Sequence, residues 1–290
     1  NITDLSVLGS TDRDYSIQII PRDEFNNTAN AVPEDIYVTF LTPDDSPIQY
    51  SAKTDESGII HYDIQAKVAG EYSFISWMFT DGQNNKFFKI KPGVISGERS
   101  NATIEVSETV AGNIVKLYVF PKDQYGNLID SNDTAVRTAF AISYSLNESP
   151  DEVSYPLNFN PATNPDFKGA IYANLTFTQA GNYKFFVQSS QTMIPCTNSC
   201  ALYVKFDKPA LTNTKFLVFE GNNVFKETTL ASMQAGSNNV NIDVNIYDQY
   251  NNIITSYTDQ QRFLAVWFGH NMTEIVLNTT ITNGDLALSV

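Results

Sequence analysis

Few residues in this chain have the types and spacing that enzymatic chemistry needs. It contains two histidines, His61 and His270, and one of them would have to serve as the base for any serine or cysteine nucleophile. His61 lies in the middle of a strand-like segment, GIIHYDI, which favours a packing role. Asp44 and Asp45 lie in a turn-like segment, TPDDSP, where solvated acids are commoner than catalytic pairs. Because the glycines also stand singly at turns, we expect neither catalysis nor a cofactor.

The charge of the chain excludes several classes of partner. Its 290 residues include 32 acidic and 18 basic ones, with a formal net charge of −14. Binding of nucleic acid requires a cluster of Lys and Arg, which these scattered bases do not form. No apolar run reaches the length of about 18 residues that spans a bilayer, so we expect no membrane insertion by this segment. Calcium is the one metal to weigh at this charge, but no EF-hand pattern is present, and we expect no metal site.

The two cysteines, Cys196 and Cys200, lie close together in CTNSC. A zinc site would need further ligands nearby. We predict a disulfide, which implies an oxidising compartment. The alternative is a reduced pair in the cytosol. A ring this small removes little loop entropy, so the disulfide would fix local shape more than global stability.

Acceptor sequons for N-linked glycosylation, Asn-x-Ser/Thr, are spread along the chain. One of them lies in a recurring turn, which is a plausible exposed place. Together with the cysteine pair, the sequons favour an extracellular or luminal protein that carries N-glycans. The candidate acceptors are Asn1, Asn26, Asn101, Asn132, Asn174, Asn271 and Asn278.

Alternating apolar and polar residues recur in short segments such as DYSIQII, EYSFISWMF and NYKFFVQ. These segments are rich in β-branched and aromatic residues and are bounded by Asn, Asp, Gly and Pro. Amphipathic helix patterns are nearly absent. Short strands at turn spacing indicate an all-β protein built from sandwich domains.

One phrase occurs three times: IIPRDEFNN at residues 19–27, VFPKDQYGN at 119–127 and VNIYDQYNN at 244–252. In each, an Asp ends a strand, and its carboxylate can accept from backbone N–H groups in an Asx-type turn. The aromatic residue after it can fold back over the end of the sandwich. Only Asn or Gly, as at Gly126, follows the aromatic residue, which indicates a left-handed position. The predicted turn aspartates are Asp23, Asp123 and Asp248.

A second phrase, VAGEYSF at residues 68–74 and QAGNYKF at 179–185, places Gly and then Tyr where a strand begins. A tyrosine at this position, whose hydroxyl bonds back to the backbone, forms the tyrosine corner of immunoglobulin-like folds. We predict this role for Tyr72 and Tyr183. Self-similarity over a length of about one domain indicates tandem domains.

Both phrases resemble the filamin-type immunoglobulin repeat, in which a strand ends in an Asp-x-x-Gly-Asn-like turn and Gly-x-Tyr opens strand F. That family has an Ile-Pro-Gly-Ser-Pro-like stretch before its last strand. Here MIPCTNSCALYVKF, at residues 193–206, keeps the Ile-Pro but has two cysteines in place of small residues. The resemblance implies tandem immunoglobulin-like β-sandwiches with an open edge between strands C and D, near residues 48–52 and 274–277, that pairs with a partner strand.

Lys-Pro junctions divide the chain into three predicted filamin-type domains, at residues 1–93, 94–208 and 209–290. The second has a longer loop, and the third ends before strands F and G. Residue 1 already lies in a strand-like pattern, so we expect a mature or excised piece of a longer protein.

Three functions follow as hypotheses. The first is a non-catalytic structural or adhesion segment of an extracellular or surface protein, in which tandem repeats form a semi-rigid spacer, an interaction surface, or a filament or coat component. The second is a rod segment of a cytoplasmic, filamin-class actin cross-linker. The third is a spacer in an enzyme whose catalytic domain lies elsewhere. The expected partners are other protein chains or neighbouring repeats of the same chain.

Overall fold

The computed structural model confirms the predicted all-β class and contains tandem immunoglobulin-like sandwiches. It describes residues 9–29, 31–78, 81–155, 158–210, 212–220, 223–225, 240–255, 263–268, 274–279 and 285–289. The helices within these ranges are all too short or too polar to cross a membrane.

The first sandwich packs a four-stranded sheet against a three-stranded one. Its strands are β1 (Gly9–Ser10), β2 (Asp14–Ile19), β3 (Ile36–Leu41), β4 (Tyr50–Thr54), β5 (Ile60–Gln65), β6 (Gly70–Met78) and β7 (Asp81–Lys91), with a 3-10 helix at Pro33–Asp35. The strand orders are β1-β7-β6-β3 and β2-β5-β4. Strand β1 pairs in parallel with β7.

The second sandwich has a five-stranded and a six-stranded sheet. Its elements are β8 (Asn101–Ile104), β9 (Glu108–Val110), β10 (Ile114–Phe120), α1 (Thr134–Thr138), β11 (Phe140–Leu146), β12 (Val153–Tyr155), β13 (Asn160–Pro161), β14 (Ile171–Thr176), β15 (Gly181–Ser189), β16 (Thr192–Met193), β17 (Cys196–Thr197) and β18 (Ala201–Lys205), with 3-10 helices at Pro165–Phe167 and Asn198–Cys200. The orders are β13-β14-β10-β8-β17 and β12-β11-β15-β18-β9, and β16 joins the second sheet by pairing with β15.

The third set of strands forms a four-stranded sheet and a two-stranded one. They are β19 (Lys215–Glu220), β20 (Asn223–Phe225), β21 (Val240–Asn245), β22 (Phe263–Phe268), β23 (Glu274–Thr279) and β24 (Asp285–Ser289). The orders are β20-β19-β21-β24 and β22-β23.

Alternation along the strands builds a separate core in each of the first two sandwiches. In β14, Ile171, Ala173 and Leu175 are fully buried, while the residues between them face outward because successive side chains of a strand point to opposite faces. The core of the first sandwich and that of the second share no residue. Each sandwich therefore has its own hydrophobic interior.

The predicted longer loop of the second sandwich contains ordered structure. Strand β12 pairs with β11, and β13 pairs with β14. The ring of Phe167 stacks on that of Tyr118 with 3.8 Å between centroids. The extra segment thus packs against the outer face of the sandwich.

Candidate functional site

Each sandwich has at one end a turn formed by the repeated Asp phrase. We call these turns corner one (residues 23–27), corner two (123–127) and corner three (248–252). In each, one carboxylate oxygen of the Asp accepts from the backbone N–H groups of the aromatic residue and of the final Asn, at 2.8–3.0 Å. The residue before the final Asn is left-handed in all three. Its φ is 69° at Asn26, 89° at Gly126 and 71° at Asn251.

At the opposite end, a tyrosine holds the turn that opens β6 or β15. We call residues 67–70 and 178–181 the Ala-Gly turns. Tyr72 donates its hydroxyl to the carbonyl of Val68 at 2.6 Å, and Tyr183 makes the same bond at 2.8 Å. Burial raises the pKa of Tyr183 to about 12, so its hydroxyl remains a donor at neutral pH. These bonds fix the shape of each Ala-Gly turn.

The final Asn of corners two and three binds the Ala-Gly turn of the preceding sandwich. Oδ1 of Asn127 accepts from the N–H of Ala69 at 2.9 Å, and its Nδ2 donates to the carbonyl of Lys67 at 2.8 Å. Asn252 makes the same two bonds with the second Ala-Gly turn, both at 2.7 Å. The two contacts, which we call junction one and junction two, therefore use one geometry.

Asp123 is fully buried where the first sandwich, the linker and the second sandwich meet. Its Oδ2 atom accepts from the hydroxyl of Thr11 at 2.6 Å, from the N–H of Gly93 at 3.0 Å and from the side chain of Asn127 at 2.8 Å. Burial raises its pKa, but the bonds from Thr11, Gly93 and Asn127 outweigh burial and hold the pKa below its ordinary value. A buried carboxylate with this many donors stays ionised, because the hydrogen bonds offset the desolvation penalty.

Asp248 takes the same place at junction two, where it is also fully buried. Its Oδ2 atom accepts from the N–H of Asp207 at 2.8 Å and from the side chain of Asn252 at 2.8 Å. Tyr250 packs against the core of the second sandwich. The aromatic residue of this corner therefore contacts the neighbouring sandwich, which the sequence pattern did not predict.

At each junction, the Gln that follows the corner Asp donates a hydrogen bond to the carboxylate of another Asp. At junction one, Nε2 of Gln124 donates to Oδ1 of Asp12 at 3.1 Å. At junction two, Nε2 of Gln249 donates to Oδ2 of Asp207 at 2.7 Å. Asp12 belongs to the preceding sandwich and Asp207 to the linker. The carboxylate that binds the Gln side chain therefore comes from a different segment at each junction.

The structure contains a disulfide between Cys196 and Cys200. Cys196 lies in β17, which pairs in parallel with β8, while Cys200 is buried in the core of the second sandwich. Asn198, Ser199 and Cys200 all have positive φ. Because non-glycine residues rarely take this conformation, three in succession show how tightly the ring constrains the segment.

The candidate glycosylation sites differ in exposure. Asn26, Asn132 and Asn174 are exposed, and Asn101 is half-buried. Oδ1 of Asn101 is buried and has no hydrogen-bond partner among the described residues. Asn1 and Asn271 lie outside the described residues. Asn278 lies in β23, but its side chain is not among those described.

The candidate catalytic residues of the described chain make ordinary local contacts. His61 lies in β5 with its Nε2 atom 2.9 Å from Oδ2 of Asp55, and the hydrogen bond from His61 is the main cause that lowers the pKa of Asp55. Asp44 accepts from the hydroxyl of Thr42 in an exposed turn. His270 lies outside the described residues. Within the ranges that the structure describes, no three His, Cys, Asp or Glu side chains are grouped to hold a metal ion.

The open edge that the resemblance implies falls on β4 and β23. Strand β4 is the outer strand of its sheet, and all its residues are exposed. Strand β23 pairs with β22. Within the described part of the chain, β4 therefore has a backbone partner on one side only.

Comparison with known proteins supports the immunoglobulin-like fold. Residues 102–196 match the family model of the GEX2 N-terminal Ig-like domain. No curated protein matches the chain in sequence. The match falls within the second sandwich, and it identifies an Ig-like domain without showing the filamin type specifically.

Two solved structures resemble nearly the whole chain. The Escherichia coli adhesin FdeC is 16% identical, with a TM-score of 0.54 over 99% of this chain and 85% of that one. InvD of Yersinia pseudotuberculosis is 16% identical, with a TM-score of 0.51 over 99% of this chain and 79% of that one. At this identity the likeness concerns the fold alone, and it shows that such domains occur in tandem elsewhere.

Proposed function

We propose that this chain is a non-catalytic structural and adhesive segment of an extracellular or cell-surface protein. Its tandem sandwiches, which we assign to the filamin type on the Asp corner and the Gly-x-Tyr phrase, act as a semi-rigid spacer that presents interaction surfaces. The expected partners are protein chains or neighbouring domains. The proposal places the domain boundaries near residues 93 and 208.

The observation that carries this proposal is the repeated binding of an Ala-Gly turn by Asn127 and by Asn252. Neighbouring domains usually move relative to each other unless their interface holds them. Here a paired amide contact and a buried, hydrogen-bonded carboxylate recur at both junctions. Repetition of the same contact is what a spacer of defined geometry requires.

Three further observations support a place outside the cytosol. The disulfide between Cys196 and Cys200 is favoured in an oxidising compartment. Asn26, Asn132 and Asn174 are exposed acceptors in Asn-x-Ser/Thr sequons. The fold is also that of FdeC, a protein described as an adhesin.

Mass spectrometry of the native protein without reduction tests the proposal. We expect hexose-bearing Asn at several exposed sequons and a Cys196–Cys200 bond. Small-angle X-ray scattering of the same sample should give one narrow distribution of inter-domain distances. Unmodified Asn with two alkylatable thiols would instead favour the cytoplasmic, filamin-class rod, and actin co-sedimentation would then be measured.

A further inference from the structure

Corner one has the internal geometry of the two docked corners. Oδ1 of Asp23 accepts from the N–H groups of Phe25 and Asn27 at 3.0 and 2.8 Å. Nδ2 of Asn27 donates to Oδ2 of Asp23 at 3.0 Å, and Asn26 is left-handed. The turn is thus formed without a neighbour, and a partner would bind it without the entropic cost of ordering a loop.

Corner one nevertheless lies open. Asp23 is exposed, whereas the aspartates of the other two corners are fully buried. Phe25 is 76% exposed, against 43% for Tyr125. Among the described residues, no group donates to the side-chain oxygen of Asn27. The equivalent oxygen of Asn127 accepts from the first Ala-Gly turn. A docking turn without its partner is the simplest account of this exposure.

We propose that corner one binds the Ala-Gly turn of a further immunoglobulin-like domain, end to end. Asn27 would accept from the alanine N–H and donate to the carbonyl two residues before it, as Asn127 does with Ala69 and Lys67. Both Ala-Gly turns of the described chain are already bound, by Asn127 and Asn252. The occupant is therefore a domain whose Ala-Gly turn is free.

Glu24 adds a requirement on the side chain that it would contact at such a junction. It stands where corners two and three have Gln124 and Gln249, which donate to the carboxylates of Asp12 and Asp207. An ionised Glu accepts hydrogen bonds and cannot donate them. Corner one therefore requires a donor side chain opposite Glu24, either in the partner domain, where Asp12 lies at junction one, or in the segment that joins the two domains, where Asp207 lies at junction two. An acid opposite Glu24 is disfavoured, because like charges in contact are repulsive.

Rewriting corner two as corner one in the full chain tests both parts of the proposal. The triple variant Gln124→Glu/Tyr125→Phe/Gly126→Asn gives residues 123–127 the corner-one sequence. We expect hydrogen exchange at the Ala69 N–H to accelerate about tenfold, because a Glu now faces the carboxylate of Asp12 and the docking bond is lost for part of the time.

Adding Asp12→Asn to the triple variant should restore the contact. The new amide can donate to the Glu while its oxygen still accepts from the N–H of Val94, which bonds Asp12 at 2.8 Å in the natural chain. We expect exchange at Ala69 to return to nearly its natural rate. Asn127→Ala gives the rate of an undocked turn, and unchanged exchange in β11 shows that the second sandwich is folded. Exchange that stays at the Asn127→Ala rate would overturn the proposal.

A labelling experiment tests whether corner one is open in the whole chain. Phe25→Cys should react with a maleimide at a rate similar to that of Ile114→Cys, a control position that is 66% exposed. Labelling of Phe25→Cys that is slower by about tenfold or more would mean that another part of this chain covers the corner. That outcome would also overturn the proposal. Both measurements are made on protein without N-glycans, because a glycan on Asn26 would itself shield Phe25→Cys. Neither measurement then depends on glycans or on the disulfide, so this inference and the proposed function can fail separately.

Discussion

The carboxylate of Asp12 occupies the space that a side chain at Gly93 would need: a Cβ atom on Gly93 would lie 2.1 Å from both carboxylate oxygens. The second junction has the opposite arrangement. The N–H of Thr11 donates to the carbonyl of the last residue of β7, and the N–H of Ala111 donates to the carbonyl of the last residue of β18. Thr11 and Ala111 are therefore equivalent, and so are the residues that follow them, Asp12 and Gly112. Asp207 is the counterpart of Gly93, since both donate their N–H to a corner Asp. Each junction thus holds one Asp and one Gly, in exchanged positions.

This exchange predicts a rescue. Gly93→Asp alone should loosen junction one, because its side chain meets the carboxylate of Asp12. The double variant Asp12→Gly/Gly93→Asp recreates the arrangement of junction two and should dock again. We expect a coupling free energy of about 1–3 kcal/mol, measured by hydrogen exchange at the residue-93 N–H that bonds Asp123. Strict additivity of the two single effects would show that the positions do not interact.

Asn127→Ala should loosen junction one while leaving both sandwiches folded. It removes two hydrogen bonds to the first Ala-Gly turn and should cost about 1–3 kcal/mol of docking free energy. Asn27→Ala is the matched control, because Asn27 makes the same bond to its own corner Asp but none to a described neighbour. Small-angle scattering should show a broader distance distribution for Asn127→Ala only. A similar change in both variants would assign the effect to the turn itself.

The two local turns could be predicted from sequence, but the contact between them could not. Asp123, Gly126 and Tyr72 each stand in a short phrase whose chemistry is local, and the structure shows the Asx-type bonds, the positive φ and the tyrosine hydroxyl bond there. The bonds of Asn127 reach the distant residues Lys67 and Ala69. Nothing in the spacing of a phrase indicates which distant segment meets it.

The aromatic position and the disulfide illustrate the same limit. The pattern placed the ring over the end of its sandwich, but Tyr250 packs on the core of the neighbouring one, and Phe25 is largely exposed. The cysteine spacing predicted a disulfide, which is present. It did not indicate the parallel pairing of β17 with β8, because strand pairing is decided by tertiary packing and not by local propensity.

Acid should weaken junction one through Asp123. Its folded-state pKa lies below the ordinary value of 3.8, so between the two values the unfolded chain binds more protons than the folded one. The stability that Asp123 contributes is therefore complete above about pH 4 and is lost as the pH falls through the folded-state pKa. Scattering profiles recorded from pH 6 to pH 2 should broaden in that window.

Two variants separate this effect from general acid unfolding. Asp123→Asn cannot ionise and should leave the junction loosened at every pH, with a flat profile across the window. Hydrogen bonds, chiefly from the Asn27 side chain, also lower the pKa of Asp23, but corner one has no described neighbour. Asp23→Asn should therefore leave the pH dependence of the inter-domain distances unchanged. A loss of that dependence in Asp23→Asn would contradict the assignment to Asp123.

Removing the disulfide should act locally, at the edge of the second sandwich. Cys196→Ser/Cys200→Ser frees a segment in which Asn198 and Ser199 have positive φ, a conformation that costs roughly 1–2 kcal/mol per residue. The segment should relax, and the pairing of β17 with β8 should weaken. Exchange at the N–H of Ala102, which bonds the carbonyl of Pro195 at 3.0 Å, should accelerate.

The global effect of the same change should be modest. Loop entropy for so short a ring predicts a loss of about 2 kcal/mol in the free energy of unfolding. Ser199→Gly in the reduced protein provides the control, since glycine takes positive φ without penalty and should recover part of the protection at Ala102. If Cys196→Ser/Cys200→Ser accelerated exchange equally at Ala102 and in β15, the disulfide would hold the whole sandwich and not its edge. Equal protection with and without the disulfide would instead show that the pairing of β17 with β8 stands on its own hydrogen bonds.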